Sequence, residues 1–257
     1  MIPVKKLLIA TGLTTIDGWT KSVEVLNLHT EGSYHCDDWK DFSYDIEGAT
    51  GTWLGNSAVI CGGKGKSDIS KYCLNMNSTS NNQIATMKVR RYNAASVLID
   101  FDTFWITGGG YFTDRKSDKW ILHQSTEYLK FENTNYIFSN GPDLPEPLQS
   151  HQIILLNSDF GQRSMVIGGM LENSAISNRT FYFFHENQSW VEGPTMIKAR
   201  LAHAADVVID LETGQELAIV SGGRNEQNTS LDTTEILVNG KWESGDWIKL
   251  HVVTHIS

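Results

Sequence analysis

Short apolar segments that end in glycine recur along the chain. Four of them, rich in β-branched or aromatic residues, end in a glycine pair, and a fifth ends in a single glycine: Ala58–Gly63, Phe104–Gly109, Met165–Gly169, Ala218–Gly223 and Leu7–Gly12. Apolar runs of this length bounded by glycine predict buried β-strands. Their last glycines lie 46 to 60 residues apart, so one structural unit is predicted to repeat along the chain.

Two further segments follow the glycines in the same order. The first alternates between apolar and polar residues at 22–26, 125–129 and 233–237, and a period of two predicts a strand. The second is short and carries a tryptophan, at Trp39, Trp190 and Trp242. These segments are predicted to be the third and fourth strands of each unit.

A segment before the glycines supplies the innermost strand. Arg90–Asp100 matches Arg200–Asp210 at six of eleven positions with an offset of 110, and Ser150–Ile154 is a weaker copy. Each unit is therefore predicted to be a four-stranded blade. Because one blade cannot bury both of its faces alone, such units close into a ring.

This order of signals resembles the kelch repeat, in which an apolar strand ends in Gly-Gly and is followed by an outer strand and a tryptophan. Gly141–Pro147 and Trp190–Met196 look like kelch connections between blades. The resemblance implies an all-β fold, a kelch β-propeller of four-stranded blades in a single domain, 1–257. Its five recognisable units span about 1–46, 47–89, 90–145, 146–198 and 199–247.

Closure of the ring has two interpretations. Kelch propellers usually have six or seven blades, and the first unit here begins with its second strand. Residues 248–257, which include the apolar stretch His251–Ser257, could supply the missing innermost strand and close a five-bladed ring. Alternatively, the chain is a fragment of a six-bladed ring.

Charge and composition narrow the classes of partner. The chain has 30 acidic and 21 basic residues, a formal net charge of −9, which disfavours a nucleic acid or an anionic membrane surface as partner. The longest apolar runs have four or five residues, far below the roughly 18 that a membrane-spanning helix needs. We therefore expect no nucleic-acid partner and no membrane span.

The sequence contains no complete catalytic motif. Gly62–Ser67 resembles a phosphate-binding loop, but Ile60 stands where the motif needs a glycine, and a strand is predicted afterwards instead of a helix. The eight histidines show no metal-ligand spacing, and no serine lies in a nucleophile motif. The prediction is a protein without catalytic residues, metal or cofactor. The alternative is a kelch-like carbohydrate-active or metal-dependent enzyme of the galactose-oxidase or sugar-isomerase type.

Recognition of a protein partner is the function that remains. In kelch substrate receptors, arginines that open the inner strands bind acidic peptides, so the resemblance implies this role for Arg90, Arg91 and Arg200. Asn93, His151 and His203 lie beside them in the repeat. Bidentate pairing with carboxylates suits arginine to this task. The alternative is that these residues pack between neighbouring blades.

A long connection in the third unit is a second candidate for partner contact. Gly109 and Glu127 are 18 residues apart, against 12 at the equivalent positions of the first and last units, and the added residues include Tyr111, Phe112, Arg115, Lys116 and Trp120. Aromatic residues together with arginine are typical of protein interfaces. The predicted function is thus a non-enzymatic protein–protein interaction scaffold that binds a protein or acidic peptide on one face of the propeller.

Three cysteines bear on the cellular compartment. Cys61 ends a second strand and Cys73 lies on the next antiparallel strand, so the two could form a cross-strand disulfide. The order of Cys36, Cys61 and Cys73 resembles that of secreted invertebrate kelch proteins, which favours an extracellular location, and three buried thiols in a cytoplasmic protein are the alternative. Four Asn-x-Ser/Thr sites, at Asn77, Asn178, Asn187 and Asn228, are close to the number that chance predicts and do not decide between the two.

Overall fold

The protein is described by a computed structural model over residues 5–14, 18–28, 34–42, 46–54, 57–65, 68–112, 120–158, 161–210 and 213–245. All the regular elements in these ranges are β-strands. Within the same ranges, no helix has the length and apolar character needed to cross a membrane.

Five main antiparallel sheets follow one another along the chain. The first has three strands, β1 (Lys5–Thr14), β2 (Gly18–Leu28) and β3 (Tyr34–Trp39). The other four have four strands each and are called blades 2 to 5, after the predicted units to which they correspond. Blade 2 contains β4 (Glu47–Leu54), β5 (Ser57–Lys64), β6 (Tyr72–Met76) and β7 (Asn81–Thr86).

Blades 3 to 5 repeat this arrangement, and blade 3 adds a two-stranded hairpin. Blade 3 contains β8 (Ala95–Leu98), β9 (Thr103–Thr107), β12 (Thr126–Glu132) and β13 (Asn135–Asn140), and its hairpin contains β10 (Gly110–Phe112) and β11 (Trp120–Leu122). Blade 4 contains β14 (Gln152–Ser158), β15 (Gly161–Ile167), β16 (Thr180–Phe184) and β17 (Ser189–Glu192). Blade 5 contains β18 (Ala204–Ile209), β19 (Glu216–Ser221), β20 (Thr234–Val238) and β21 (Lys241–Ser244).

The sheets are arranged as a β-propeller. The inner strands β4, β8, β14 and β18 contact one another in chain order, and β1 contacts β4. An all-β propeller of four-stranded antiparallel blades is therefore confirmed. The count of five complete units is not confirmed, because the first sheet has three strands among the described residues. The predicted closing strand, 248–257, lies outside them.

The glycine pairs allow the connection to the next blade to approach the end of the second strand closely. All four pairs have positive φ, with values from 58° to 101°, a region that glycine enters at no steric cost. The N–H of Gly63 donates to the carbonyl of Arg91 at 2.8 Å, and Gly109 N–H donates to Leu148 O at 2.8 Å. A Cβ on Gly108 would lie 2.4 Å from that Leu148 oxygen. Glycine is thus required where the connection to the next blade arrives.

A chain of main-chain hydrogen bonds joins the beginnings of the inner strands. Asn93 N–H donates to Gly48 O at 2.9 Å, Ser150 N–H to Asn93 O at 2.8 Å, and Ala202 N–H to Ser150 O at 2.9 Å. All four residues have φ between 50° and 59°. One residue per blade, always in the left-handed region, therefore links blades 2 to 5 in sequence.

Apolar side chains fill the space between neighbouring blades, and the predicted tryptophans take part. Trp190 of blade 4 packs on Trp105 of blade 3 with ring centroids 5.9 Å apart. The indole Nε1 of Trp242 in blade 5 donates to the carbonyl of Pro194 in the preceding connection at 3.0 Å. Trp39 of the first sheet meets Trp53 of blade 2 edge-on at 5.6 Å.

Candidate functional site

Antiparallel pairing gives the propeller two distinct ends. The inner strands begin at one end, and the connections between second and third strands lie there as well, at 65–71, 108–125, 168–179 and 222–233. We call this end the opening face. The tight turns between first and second strands and between third and fourth strands lie at the other end, which we call the turn end.

The hairpin β10–β11 makes blade 3 different on the opening face. Tyr111 pairs with Ile121 and Phe112 with Trp120 across the hairpin, and the equivalent connections of blades 2, 4 and 5 form only isolated bridges. The described residues of the long connection that the sequence indicated thus form a two-stranded hairpin. Arg115 and Lys116, two of the predicted contact residues, lie outside the described residues.

An aromatic cluster surrounds this hairpin, and we call it the hairpin patch. It consists of Tyr92, Tyr111, Phe112, Trp120 and His123, all of them half-buried. Trp120 stacks on Tyr92 at 5.4 Å and contacts Phe112. Tyr111 stacks on His123 at 5.2 Å. The rings support one another and still present part of their surface to solvent.

Cationic groups border the hairpin patch. The Lys64 ammonium lies 5.4 Å from the centre of the Phe112 ring and 5.8 Å from that of Tyr92. Arg90 is ion-paired with Asp68, and the Arg90 side chain is 48% exposed. An exposed ion pair of this kind contributes little stability, so the guanidinium is available to a competing carboxylate.

Two titratable groups of the patch are held neutral. Burial and the neighbouring Glu47 carboxylate raise the pKa of Tyr92 to about 12, and its hydroxyl donates to Glu47 Oε1 at 3.2 Å. Burial, together with the Arg91 guanidinium, lowers the pKa of His123. The Nε2–H of His123 donates to the Arg90 carbonyl at 3.0 Å, which fixes the ring beneath Tyr111.

Arg91 and Arg200 lie in the interior instead of on the opening face. Arg91 is 1% exposed and donates to Glu127 Oε1 at 3.0 and 3.2 Å, and to the carbonyls of Gly108 at 2.6 Å and Ser125 at 2.8 Å. Arg200 is fully buried and donates to Glu235 at 2.6 Å and to Gly222 O at 2.7 Å. Their burial and their ion pairs agree with the packing alternative, and a role of Arg91 and Arg200 in partner binding stays a prediction.

Each of the two buried ion pairs forms hydrogen bonds with three segments of the chain. Glu127 also accepts the Lys88 N–H at 2.8 Å, and Glu235 accepts Ile197 N–H at 2.7 Å and Lys198 N–H at 3.0 Å. Each pair therefore connects the incoming chain, the glycine turn and the third strand. Burial lowers the pKa of Arg91, but an arginine remains charged in proteins.

The structure corrects the alignment by one residue. Gly63 N–H bonds to Arg91 O and Gly169 N–H to Arg200 O, so Arg91 is the equivalent of Arg200, and the offset between the blades is 109 instead of 110. Arg90, which the offset of 110 aligned with Arg200, is the exposed neighbour. Of the three predicted arginines, Arg90 is the one with an exposed side chain.

The other predicted positions line the junctions between blades. His151 is buried, and its Nε2 bonds to Thr107 Oγ1 at 2.8 Å. His203 is fully buried, and neither ring nitrogen has a partner among the described residues. Ile167 stands before the glycine pair where blade 3 has Thr107, so His203 lacks the hydroxyl that His151 meets. Asn93 is half-buried and belongs to the chain of hydrogen bonds that joins the inner strands.

The predicted disulfide is confirmed. Cys61 on β5 faces Cys73 on β6 in register, and their sulfurs are bonded. Both residues are buried. In the described ranges, no three histidine, cysteine or acidic side chains come together as a metal site.

Sequence reasoning identified part of the hairpin patch and missed the rest. The long connection indicated Tyr111, Phe112 and Trp120. His123 lies in the same connection but was not identified, and Tyr92 and the neighbouring Lys64 come from other segments. Their only signal in the sequence is proximity to the repeat positions, since Tyr92 follows Arg91 and Lys64 follows a glycine pair.

The comparisons with known proteins leave the family assignment at the level of the fold. The sequence matches no protein-family model and has no significant match among curated proteins. The kelch relationship therefore remains a resemblance based on the repeated glycines and tryptophans, and the β-propeller is what the structure shows.

Proposed function

We propose that this protein is a non-enzymatic scaffold that binds a protein partner through the opening face, with the hairpin patch as the main contact. The β-propeller fold commonly mediates protein–protein interaction. Loops held by a rigid scaffold are the usual place for such binding.

The observation that carries the proposal is the hairpin patch itself. Its aromatic rings are half-buried around a two-stranded hairpin, whereas the described residues of the equivalent connections in blades 2, 4 and 5 form isolated bridges. Tyr, Trp and Arg are the residues that most often dominate binding energy at protein interfaces. Rigid rings also lose little conformational entropy when a partner covers them.

The chemistry of the surrounding groups favours an acidic segment in the partner. Lys64 lies beside the rings, and Arg90, whose carbonyl accepts a hydrogen bond from His123, has a half-exposed side chain. A carboxylate of the partner can replace Asp68 as the acceptor for Arg90 in a bidentate pair. Because the chain as a whole is acidic, this attraction acts locally and is screened by salt beyond about 10 Å.

Two substitutions on the patch and one control test the proposal. Tyr111→Ala and Arg90→Ala should each weaken capture of the partner from an extract of the natural source. The loss expected is roughly ten-fold or more, because interface residues of this type contribute about 2 kcal/mol. Phe101→Ala is the matched control, since Phe101 is 85% exposed in the β8–β9 turn at the turn end.

Unchanged thermal unfolding of all three variants would show that the fold is intact. Equal capture by the patch variants and by Phe101→Ala would contradict the proposal. Equal loss in all three variants would contradict it as well, because binding would then not be specific to the opening face.

A further inference from the structure

The structure separates the four Asn-x-Ser/Thr sites into two pairs. Asn77 lies in the turn between β6 and β7, and Asn187 lies in the turn between β16 and β17. These are the same turn in blades 2 and 4, at the turn end of the propeller. Asn178 and Asn228 instead lie in connections between second and third strands, on the opening face.

Asn77 is half-buried and is held by its side-chain oxygen. Its Oδ1 accepts hydrogen bonds from the backbone N–H of Thr79 at 3.0 Å and of Ser80 at 2.9 Å. The Thr79 hydroxyl donates to the same oxygen at 3.0 Å. The Nδ2 of Asn77 donates to no group in the described ranges, and Ser78 and Thr79 are exposed. The turn thus orders the acceptor side chain through its oxygen alone.

Asn187 repeats this arrangement in blade 4. Its Oδ1 accepts a hydrogen bond from the hydroxyl of Ser189, the third residue of its site, at 2.6 Å. The side chains from Glu186 to Gln188 are exposed, and the described part of the chain gives Asn187 Nδ2 no acceptor. In both turns the hydroxyl of the third residue contacts the asparagine.

Asn178 has the opposite environment. Its Nδ2 donates to the carbonyl of Met196 at 3.2 Å, and Thr180, the third residue of its site, is fully buried and donates to Pro194 O at 2.8 Å. A sugar on Nδ2 would displace the connection that leads into blade 5. Asn228 is exposed on the opening face, where its Oδ1 accepts from Arg224 at 3.3 Å, and it is not part of the inference.

The disulfide indicates the kind of compartment in which the chain folds. Cys61 and Cys73 are bonded in blade 2, the same blade that contains Asn77. Disulfides form and persist in oxidising compartments such as the secretory pathway, where asparagines in Asn-x-Ser/Thr sites are glycosylated.

We propose that Asn77 and Asn187 carry N-linked oligosaccharides and that Asn178 does not. The donor is an oligosaccharide linked through a diphosphate to a lipid. A bond forms between the asparagine Nδ2 and the anomeric carbon, and the bond from that carbon to the diphosphate oxygen breaks. The lipid diphosphate leaves with the electron pair, and Nδ2 loses one proton to a base of the transferase.

The sugars on Asn77 and Asn187 both lie at the turn end of the propeller. The turn end is shielded, and the hairpin patch on the opening face stays accessible. The inference does not rest on the proposed partner binding, because it depends only on the two turns and the disulfide.

The test is peptide mapping of the full chain secreted from a eukaryotic cell. Enzymatic removal of the sugar in heavy-oxygen water converts each occupied asparagine into a labelled aspartate, which mass spectrometry locates. We expect label at 77 and at 187 and none at 178. In the same digest, a non-reduced peptide that joins Cys61 to Cys73 shows that the chain has passed through an oxidising compartment.

Matched variants separate modification from folding. Thr79→Ala and Ser189→Ala keep both asparagines and should each remove one sugar, seen as one step in gel mobility, whereas Asn178→Gln should leave the mobility unchanged. Absence of label from Asn77 or Asn187 in the disulfide-bonded protein, or label at Asn178, would overturn the inference.

Discussion

Two equivalent buried positions are occupied in different ways in different blades. Blades 3 and 5 use a buried ion pair, Arg91 with Glu127 and Arg200 with Glu235. The same two positions hold apolar residues in blades 2 and 4, namely Ile46 and Leu74, and Leu148 and Phe181, all of them buried. The ionic and apolar solutions therefore alternate from blade to blade.

This alternation leads to a prediction about paired substitution in blade 3. Arg91→Leu alone should lower the free energy of unfolding by about 3–5 kcal/mol, because it leaves the Glu127 carboxylate buried and unpaired. Arg91→Leu combined with Glu127→Phe reproduces the residues of blade 4 and should recover most of that loss. Urea unfolding of the two variants measures both values, and equal stability of the single and double variants would contradict the interpretation.

The two buried histidines predict a dependence of stability on pH. Burial, with the nearby guanidinium groups, lowers the pKa of His151 and of His203 to about 3, whereas a histidine in the unfolded chain titrates near pH 6.5. Between these values the unfolded state binds a proton that the native state does not. Each histidine therefore costs about 1.4 kcal/mol of stability for each unit that the pH falls in this window.

His203→Ala tests this linkage, and the chain supplies a precedent. Ala94 occupies the equivalent position in blade 3, where its Cβ faces Gly109 as that of His203 faces Gly223. The variant should lose less stability than the wild type between about pH 6 and pH 4, by about 1.4 kcal/mol per pH unit. Parallel profiles of unfolding free energy against pH for the two proteins would show that protonation of His203 does not contribute to the pH dependence of stability.

At the scale of elements, the strands were predictable and their register was not. The glycine-ended segments became β1, β5, β9, β15 and β19. Trp190 and Trp242 lie on the fourth strands of blades 4 and 5, and Trp39 lies on the last strand of the first sheet. The offset of 110 was wrong by one because small apolar residues occur on both faces of the inner strands. Val97 of blade 3 packs against the following blade, which is blade 4. Val207 of blade 5 packs against the preceding blade, which is also blade 4.

The hairpin shows a second limit of the sequence. The spacing from Gly109 to Glu127 predicted a longer connection with aromatic residues, but it did not predict a hairpin. The stacking of Tyr92 on Trp120 and the position of Lys64 over the rings arise only when separate connections meet on the opening face. Local patterns carry no information on such contacts, so Tyr92 and His123, two of the five residues of the hairpin patch, were not predicted.

The disulfide between β5 and β6 carries a prediction at this scale. Its cysteines are separated by 12 residues, and a disulfide that closes a loop of this size contributes about 3 kcal/mol. Cys61→Thr with Cys73→Thr places in blade 2 the residues that blade 3 has at Thr107 and Thr126. This variant should unfold at lower urea concentration than the wild type, and the wild type in reductant should shift in the same direction. Unchanged midpoints in both experiments would contradict a stabilising role.

At the scale of the whole molecule, the two ends of the propeller have different structural features. The opening face gathers the glycine turns, the linked inner strands and the hairpin patch. The turn end carries the tight turns and the exposed Phe101. Four blades of four strands form the described scaffold, and the interpretation of the whole chain as five closed units stays a prediction.

Site-specific photocross-linking is the measurement that tests partner binding by the opening face most directly. A photoreactive phenylalanine analogue is placed at Tyr111 in one variant and at Phe101 in another, and both are irradiated in an extract of the natural source. The account predicts a discrete covalent adduct with one protein from position 111 and none from position 101. An adduct from position 101 alone, or the same adduct from both positions, would contradict it.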